Sequence, residues 1–195
     1  MNRLTSLAGL AAVLTYAATV LIGGWLTPGY SHLDQPVSAL FALGAPYALP
    51  VSAAFILYNL LLIGFGAGLL RALRGPAAMI LANGAIGIAI EFFPMDAPGA
   101  PLSAAGLIHL VLAAGLVVTC TLAMALAAIG WWRQRRIAPA SVTAALLVVM
   151  LAAGMFAAQA ATGGVAFLGL FQRLTIGAYL LWIALLAVTT GRRAA

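Results

Sequence analysis

Six apolar runs, near 4–26, 51–70, 77–93, 102–129, 140–161 and 174–190, take up most of this 195-residue chain. In lipid the backbone of such a run can satisfy its amides only within itself, so runs of about 20 residues predict membrane-spanning helices. The expected fold class is therefore all-α: a polytopic membrane protein with six transmembrane helices. At 65% hydrophobic and 6% charged residues, the chain sits far from the roughly 25% charge of a soluble domain. The third run is short and the fourth long, so tilt or a broken end is expected in each. The first follows Arg3 and resembles a signal peptide, but it outlasts the usual core of about 7 to 15 residues and has no clear cleavage motif. It reads as a mature helix. No repeat, low-complexity segment or linker interrupts the pattern, so residues 1–195 read as a single six-helix transmembrane domain.

The nine basic residues are all arginine. Arg3, Arg71, Arg74, Arg133, Arg135, Arg136, Arg192 and Arg193 fall at the N-terminus, the second and fourth loops and the C-terminus. Those are alternate, same-side positions, and the positive-inside rule makes them cytoplasmic, with both termini. The odd loops become extracytoplasmic and carry Asp34, Glu91 and Asp96, every acidic residue of the chain, with Arg173 as their one arginine. Trp131 and Trp132, and at the other side Trp25 and Tyr30, fit interfacial belts. Arginines scattered at helix ends without stacking aromatics speak against nucleic acid. Cys120, the single cysteine, rules out an intrachain disulfide and reads as packing.

Three polar groups punctuate the odd side. In YSHLDQPVSALFALGAPYALP, Pro36 suits the first turn of a short helix that Gly44 and Pro46 stop, giving a short extracytoplasmic helix between helices 1 and 2. In EFFPMDAPGAPLSAAGLIH, Glu91 lies about two residues inside the outer end of helix three, and Pro94, Pro98 and Pro101 build a rigid crossover. His109 lies roughly 12 Å into helix four at about 1.5 Å per residue. In TGGVAFLGLFQR, Gln172 and Arg173 reach the start of helix six, where Arg173 is the expected counter-ion of a carboxylate. Intramembrane ionisable residues face the bundle or a cavity and need partners. Each has a plain alternative: a solvated, capped loop for His32 and Asp34, a packing ion pair for Glu91 and Arg173, a satisfied core histidine for His109.

Zinc would want three ligands from His32, His109 and one of Asp34, Glu91 or Asp96, but no HExxH pairing is present. A haem between His32 and His109 lacks a histidine-rich helical pattern. Ser31 or Ser38 as hydrolase nucleophile lacks GxSxG, and a transporter would show repeats or interrupted helices near the midplane. No metal or cofactor is expected. The pattern favours an outer pocket, polar at its floor, that binds or processes a lipid-like or amphiphilic molecule. The alternatives are a structural or regulatory membrane subunit and a small transporter. Gly64, Gly66 and Gly68 permit close helix contacts, within the chain or between copies in a homo-oligomer.

YSHLDQPVSALFALGAPYA after helix one, FPMD after helix three, PLSAAGLIH and GLFQR, in this order and spacing, resemble the bacterial and archaeal six-helix membrane family catalogued as domain of unknown function 998. The resemblance implies six transmembrane helices in the cytoplasmic membrane and no particular reaction. It implies as recurring polar residues Ser31, Gln35, Ser38, Asp96, His109, Gln172 and Arg173, and leaves His32 outside the pattern. Alkaline ceramidases and progestin-receptor-like proteins gather Ser, Asp and several His around zinc, and two histidines are too few for that set. The candidate ligand-binding residues are thus Ser31, His32, Asp34, Gln35, Ser38, Glu91, Asp96, His109, Gln172 and Arg173.

Overall fold

The computed structural model describes residues 3–97 and 99–191. Pro98, expected in the crossover, and Arg192 and Arg193, counted with the basic end, lie outside the described residues. Six α-helices follow in order: α1 (Arg3–Leu26), α2 (Ala48–Leu69), α3 (Arg74–Ile90), α4 (Ala104–Arg133), α5 (Ile137–Ala161) and α6 (Leu168–Gly191). A short 3₁₀ helix, Val37–Phe41, sits between α1 and α2. It stands where a short helix was expected and ends before Gly44, because Ala42 has already returned to extended backbone (φ −61°, ψ 162°).

Three helices begin three residues before their expected runs, for one physical reason. Pro50, Pro76 and Pro139 each occupy the third helical position of α2, α3 and α5. The first turn's N–H groups have no intrahelical acceptor, so proline costs nothing there. The residues after the prolines donate the first helical bonds, Val51 to Tyr47, Ala77 to Leu73 and Ala140 to Arg136.

Among the described residues five helices are long and apolar enough to cross a membrane, and Arg74–Ile90 is a shorter apolar helix of 17 residues. It ends at Ile90 rather than 93, so Glu91 caps it instead of lying inside it. Pro94 explains the early stop, since the residue before a proline is pushed out of the helical region. α4 starts at Ala104 and runs 30 residues to Arg133, taking in Trp131 and Trp132. α6 starts at Leu168, six residues early, so Gln172 and Arg173 belong to its first turns.

Each helix packs on the next and α6 returns against α1, closing a ring. The main core lies inside it around Leu62, Phe65, Ile80, Met124, Trp182 and Ile183, all buried. A smaller cluster of Val20, Val37, Leu40, Phe41, Val51 and Phe55 ties the 3₁₀ helix to α1 and α2. Asn83 of α3 donates to Leu116 O (3.0 Å) and Thr119 Oγ1 (2.8 Å) of α4, a polar clasp in an apolar interior. Gly66 packs against α3 and Gly68 against Thr5 of α1, so both serve contacts within the ring, while a Cβ on Gly64 would stand in open space.

Candidate functional site

The odd-side loops are laced together. Leu43 N donates to Met95 O (3.2 Å), joining the first and third loops, and Leu170 N donates to Leu33 O (2.9 Å), joining the start of α6 to the first. Ser38 Oγ donates to Met95 Sδ (3.3 Å). Gln172 Oε1 accepts from Val37 N (2.6 Å), one of the free amides at the start of the 3₁₀ helix. The first loop therefore covers one end of the bundle.

Arg173 is the hub of that cover, and its bonds there go to neutral oxygens. Its Nη1 donates to Gln35 O (3.0 Å) and Gly169 O (2.9 Å), and its Nη2 to the Tyr30 hydroxyl. The expected carboxylate partner is replaced by backbone and phenol oxygens, because the first loop lays its carbonyls across the fork. Close approach requires Gly169: a Cβ there would stand 2.5 Å from Gln35 O and 2.6 Å from His32 O.

Ser31, Asp34 and Gln35 form a local turn. Ser31 Oγ donates to Asp34 Oδ2 (2.6 Å), and Gln35 Oε1 accepts from Ser31 N (3.0 Å). His32 stacks edge-on against Tyr30 (centroids 5.2 Å, 87°) and against Gly24 of α1. Partial burial, then the charge of Arg173, push its pKa down, so it is neutral at physiological pH. Asp96 is absorbed in capping α4: Ser103 Oγ donates to its Oδ1 (2.6 Å) and Ser103 N to its Oδ2 (2.9 Å). Ser103 Oγ in turn accepts from Gly106 N (3.0 Å). These bonds, with a smaller effect of His109, hold the Asp96 carboxyl below the usual range. Buried His109 donates from Nδ1 to Phe93 O (2.8 Å) and leans on Phe41 (centroids 5.9 Å), pinning the third loop to α4.

Glu91 is different. It hydrogen-bonds Ser52 of α2, yet its Oε2 is buried without a partner, and so is Nε of Arg173. Tyr16, midway along α1, lies within electrostatic reach of both. Tyr16, Ser52 and the bonding role of Tyr30 were not expected from sequence; a hydroxyl inside an apolar run was the signal available. Among the described residues no three His, Cys, Asp or Glu side chains gather where they would hold a metal ion. His32 packs on Tyr30 and on Gly24 of α1, whereas His109 is bonded to the third loop. The hydroxyls of Ser31 and Ser38 are spent on Asp34 and Met95 rather than on a histidine.

An all-helical ring of long apolar helices with its few charges at the ends defines a multi-pass helical membrane protein. The family model described as "Protein of unknown function (DUF998)" matches residues 10–189, and the chain belongs to that family. Neither the curated proteins nor the solved structures give a match.

Proposed function

We propose that this chain is a six-pass protein of a bacterial or archaeal cytoplasmic membrane, both termini inside, that binds the headgroup of a lipid-like amphiphile between Glu91 and Arg173. The observation that carries this reading is the pair of buried, unpartnered atoms, Glu91 Oε2 and Arg173 Nε, on two groups that both lie within electrostatic reach of Tyr16. A buried polar group without a partner costs about 1 to 3 kcal/mol, and more when charged, so each atom favours a molecule that bonds to it. One is an acceptor and the other a donor, which suits a headgroup carrying both a hydroxyl or amine and an acidic oxygen. The arginine distribution supports the orientation, with Arg3, Arg71, Arg74, Arg133, Arg135 and Arg136 all opposite to this cover. Binding is favoured over processing, because the candidate nucleophiles already have other partners.

A structural role is the second reading, favoured by the three bonds with which Arg173 holds the first loop. Native mass spectrometry of the detergent-purified protein separates the two. The binding reading expects a co-purified amphiphile that Glu91→Gln and Arg173→Gln each reduce while the helical circular dichroism stays intact. Equal retention by well-folded Glu91→Gln overturns it.

A further inference from the structure

The arginine-rich end, opposite to the loop cover, holds a cavity of about 620 Å³. It is walled by the α2–α3 turn, the end of α4, the start of α5 and the end of α6, through residues that include Leu73, Trp131, Arg136, Thr143, Trp182 and Leu186. We propose that this cavity is a second site, for the phosphate headgroup and upper acyl chain of an anionic phospholipid. It is separate from the Glu91–Arg173 reading and does not rest on it.

Three observations point to this ligand. Trp131 is only 6% exposed, and its indole N–H is buried without an acceptor; since that group can only donate, it calls for an acceptor atom. The other indole in the wall, Trp182, already donates to Thr143 Oγ1 (3.1 Å). The second observation is cationic. The turn after α4 carries Arg135 in the left-handed region (φ 55°), and Arg136 N then closes back onto Trp131 O (2.9 Å). That fold lays the Arg136 guanidinium over the Trp131 ring, 5.8 Å from its centroid. Asp34, Glu91 and Asp96 are the chain's acidic residues and all belong to the odd-side loops, so no acidic side chain lies at this guanidinium's own end.

The third is shape and surface. Leu73, Leu185, Leu186 and Val142 offer aliphatic wall beside that cation and donor. The volume is in the range of about 300 to 1,000 Å³ typical of organic-ligand sites, well beyond what a lone phosphate fills. A phosphodiester supplies the acceptors for Arg136 and Trp131, and an acyl chain covers the aliphatic wall.

Full-length protein in a neutral detergent, titrated by native mass spectrometry with phosphatidylglycerol, phosphatidylcholine and inorganic phosphate, tests this. Phosphatidylglycerol is expected to bind about tenfold more tightly than phosphatidylcholine, and Arg136→Gln to remove about that factor, the worth of one charge-assisted bond. Arg3→Gln, at the same end but outside the cavity wall, is expected to leave binding unchanged. Trp131→Phe is expected to weaken it, and Gln134→Glu, an exposed change at the rim, to weaken it through repulsion should Trp131→Phe fail to fold. Equal binding of the two lipids, an equal effect of Arg3→Gln and Arg136→Gln, or full displacement of phosphatidylglycerol by inorganic phosphate each overturns the assignment.

Discussion

Nη2 of Arg173 donates to the hydroxyl of Tyr30, 143 positions earlier in the chain. The same hydroxyl donates onward to Pro36 O (3.0 Å), and the guanidinium lies 5.6 Å from the Tyr30 ring centroid. Burial raises the phenol's pKa while the charge and hydrogen bond of Arg173 oppose that rise. Tyr30 therefore keeps its proton at neutral pH, and the relay from α6 through Tyr30 to the start of the 3₁₀ helix stays intact.

Breaking that relay is expected to loosen the cover. Tyr30→Phe should cost about 1 to 2 kcal/mol and Arg173→Lys about 3 kcal/mol, since the ammonium cannot reproduce the fork and bonds to charged groups are the stronger ones. Unfolding in one detergent, compared for the single and double variants, checks the coupling. The double variant should lose less than the sum, and strict additivity would mean that the two side chains act separately.

Gly169→Ala should detach the first loop from α6. Its Cβ meets two backbone carbonyls, which cannot swing aside as a flexible side-chain tip can. Limited proteolysis within 27–47 is the readout, with cleavage faster than in the parent protein. Gly177→Ala, in the same helix with open space where the new Cβ would stand, should leave cleavage unchanged and stability equal or up to about 1 kcal/mol higher.

Asp96→Asn should give a pH-dependent loss. The folded Asp96 pKa is depressed by Ser103, so its contribution is present above the ordinary carboxylate range and disappears as pH falls through the folded value. The gap in melting temperature between parent and variant should be widest near neutrality and close in acid. A gap of constant size across that range would assign the loss to shape rather than to charge.

Thr119→Val removes one acceptor of the Asn83 clasp at nearly constant volume. Interhelical hydrogen bonds of this kind contribute on average about 0.6 kcal/mol in membranes, so a small loss is expected. Asn83→Ala, which abandons the whole clasp, should cost more. Unfolding in denaturant or by heat in micelles measures both, and the reverse order would show that Asn83 contributes little to the α3–α4 contact.

Helix number and type were legible in the sequence because each apolar run is long enough for its own hydrogen-bond ladder. The starts of α2, α3 and α5 were displaced because proline marks the end of free hydrogen bonding, not the beginning of helical backbone. The odd-side polar residues were legible as a set through charge segregation. Their partners were not, since Arg173 answers Gln35 O, Gly169 O and Tyr30, and backbone carbonyls leave no trace in composition.

By itself the sequence determined a set of six apolar helices and the division of charge between their ends, because hydropathy and formal charge are properties of each residue alone. Tertiary structure decided which oxygen meets each donor: Asp96 goes to a helix cap and His109 to Phe93 O, while Glu91 and Trp131 are left with polar atoms unanswered. It also put a cavity at the arginine-rich end, the opposite end from the pocket expected on the acidic side. Hydrogen-bond satisfaction and empty volume depend on segments far apart in the chain, and only their packing sets them.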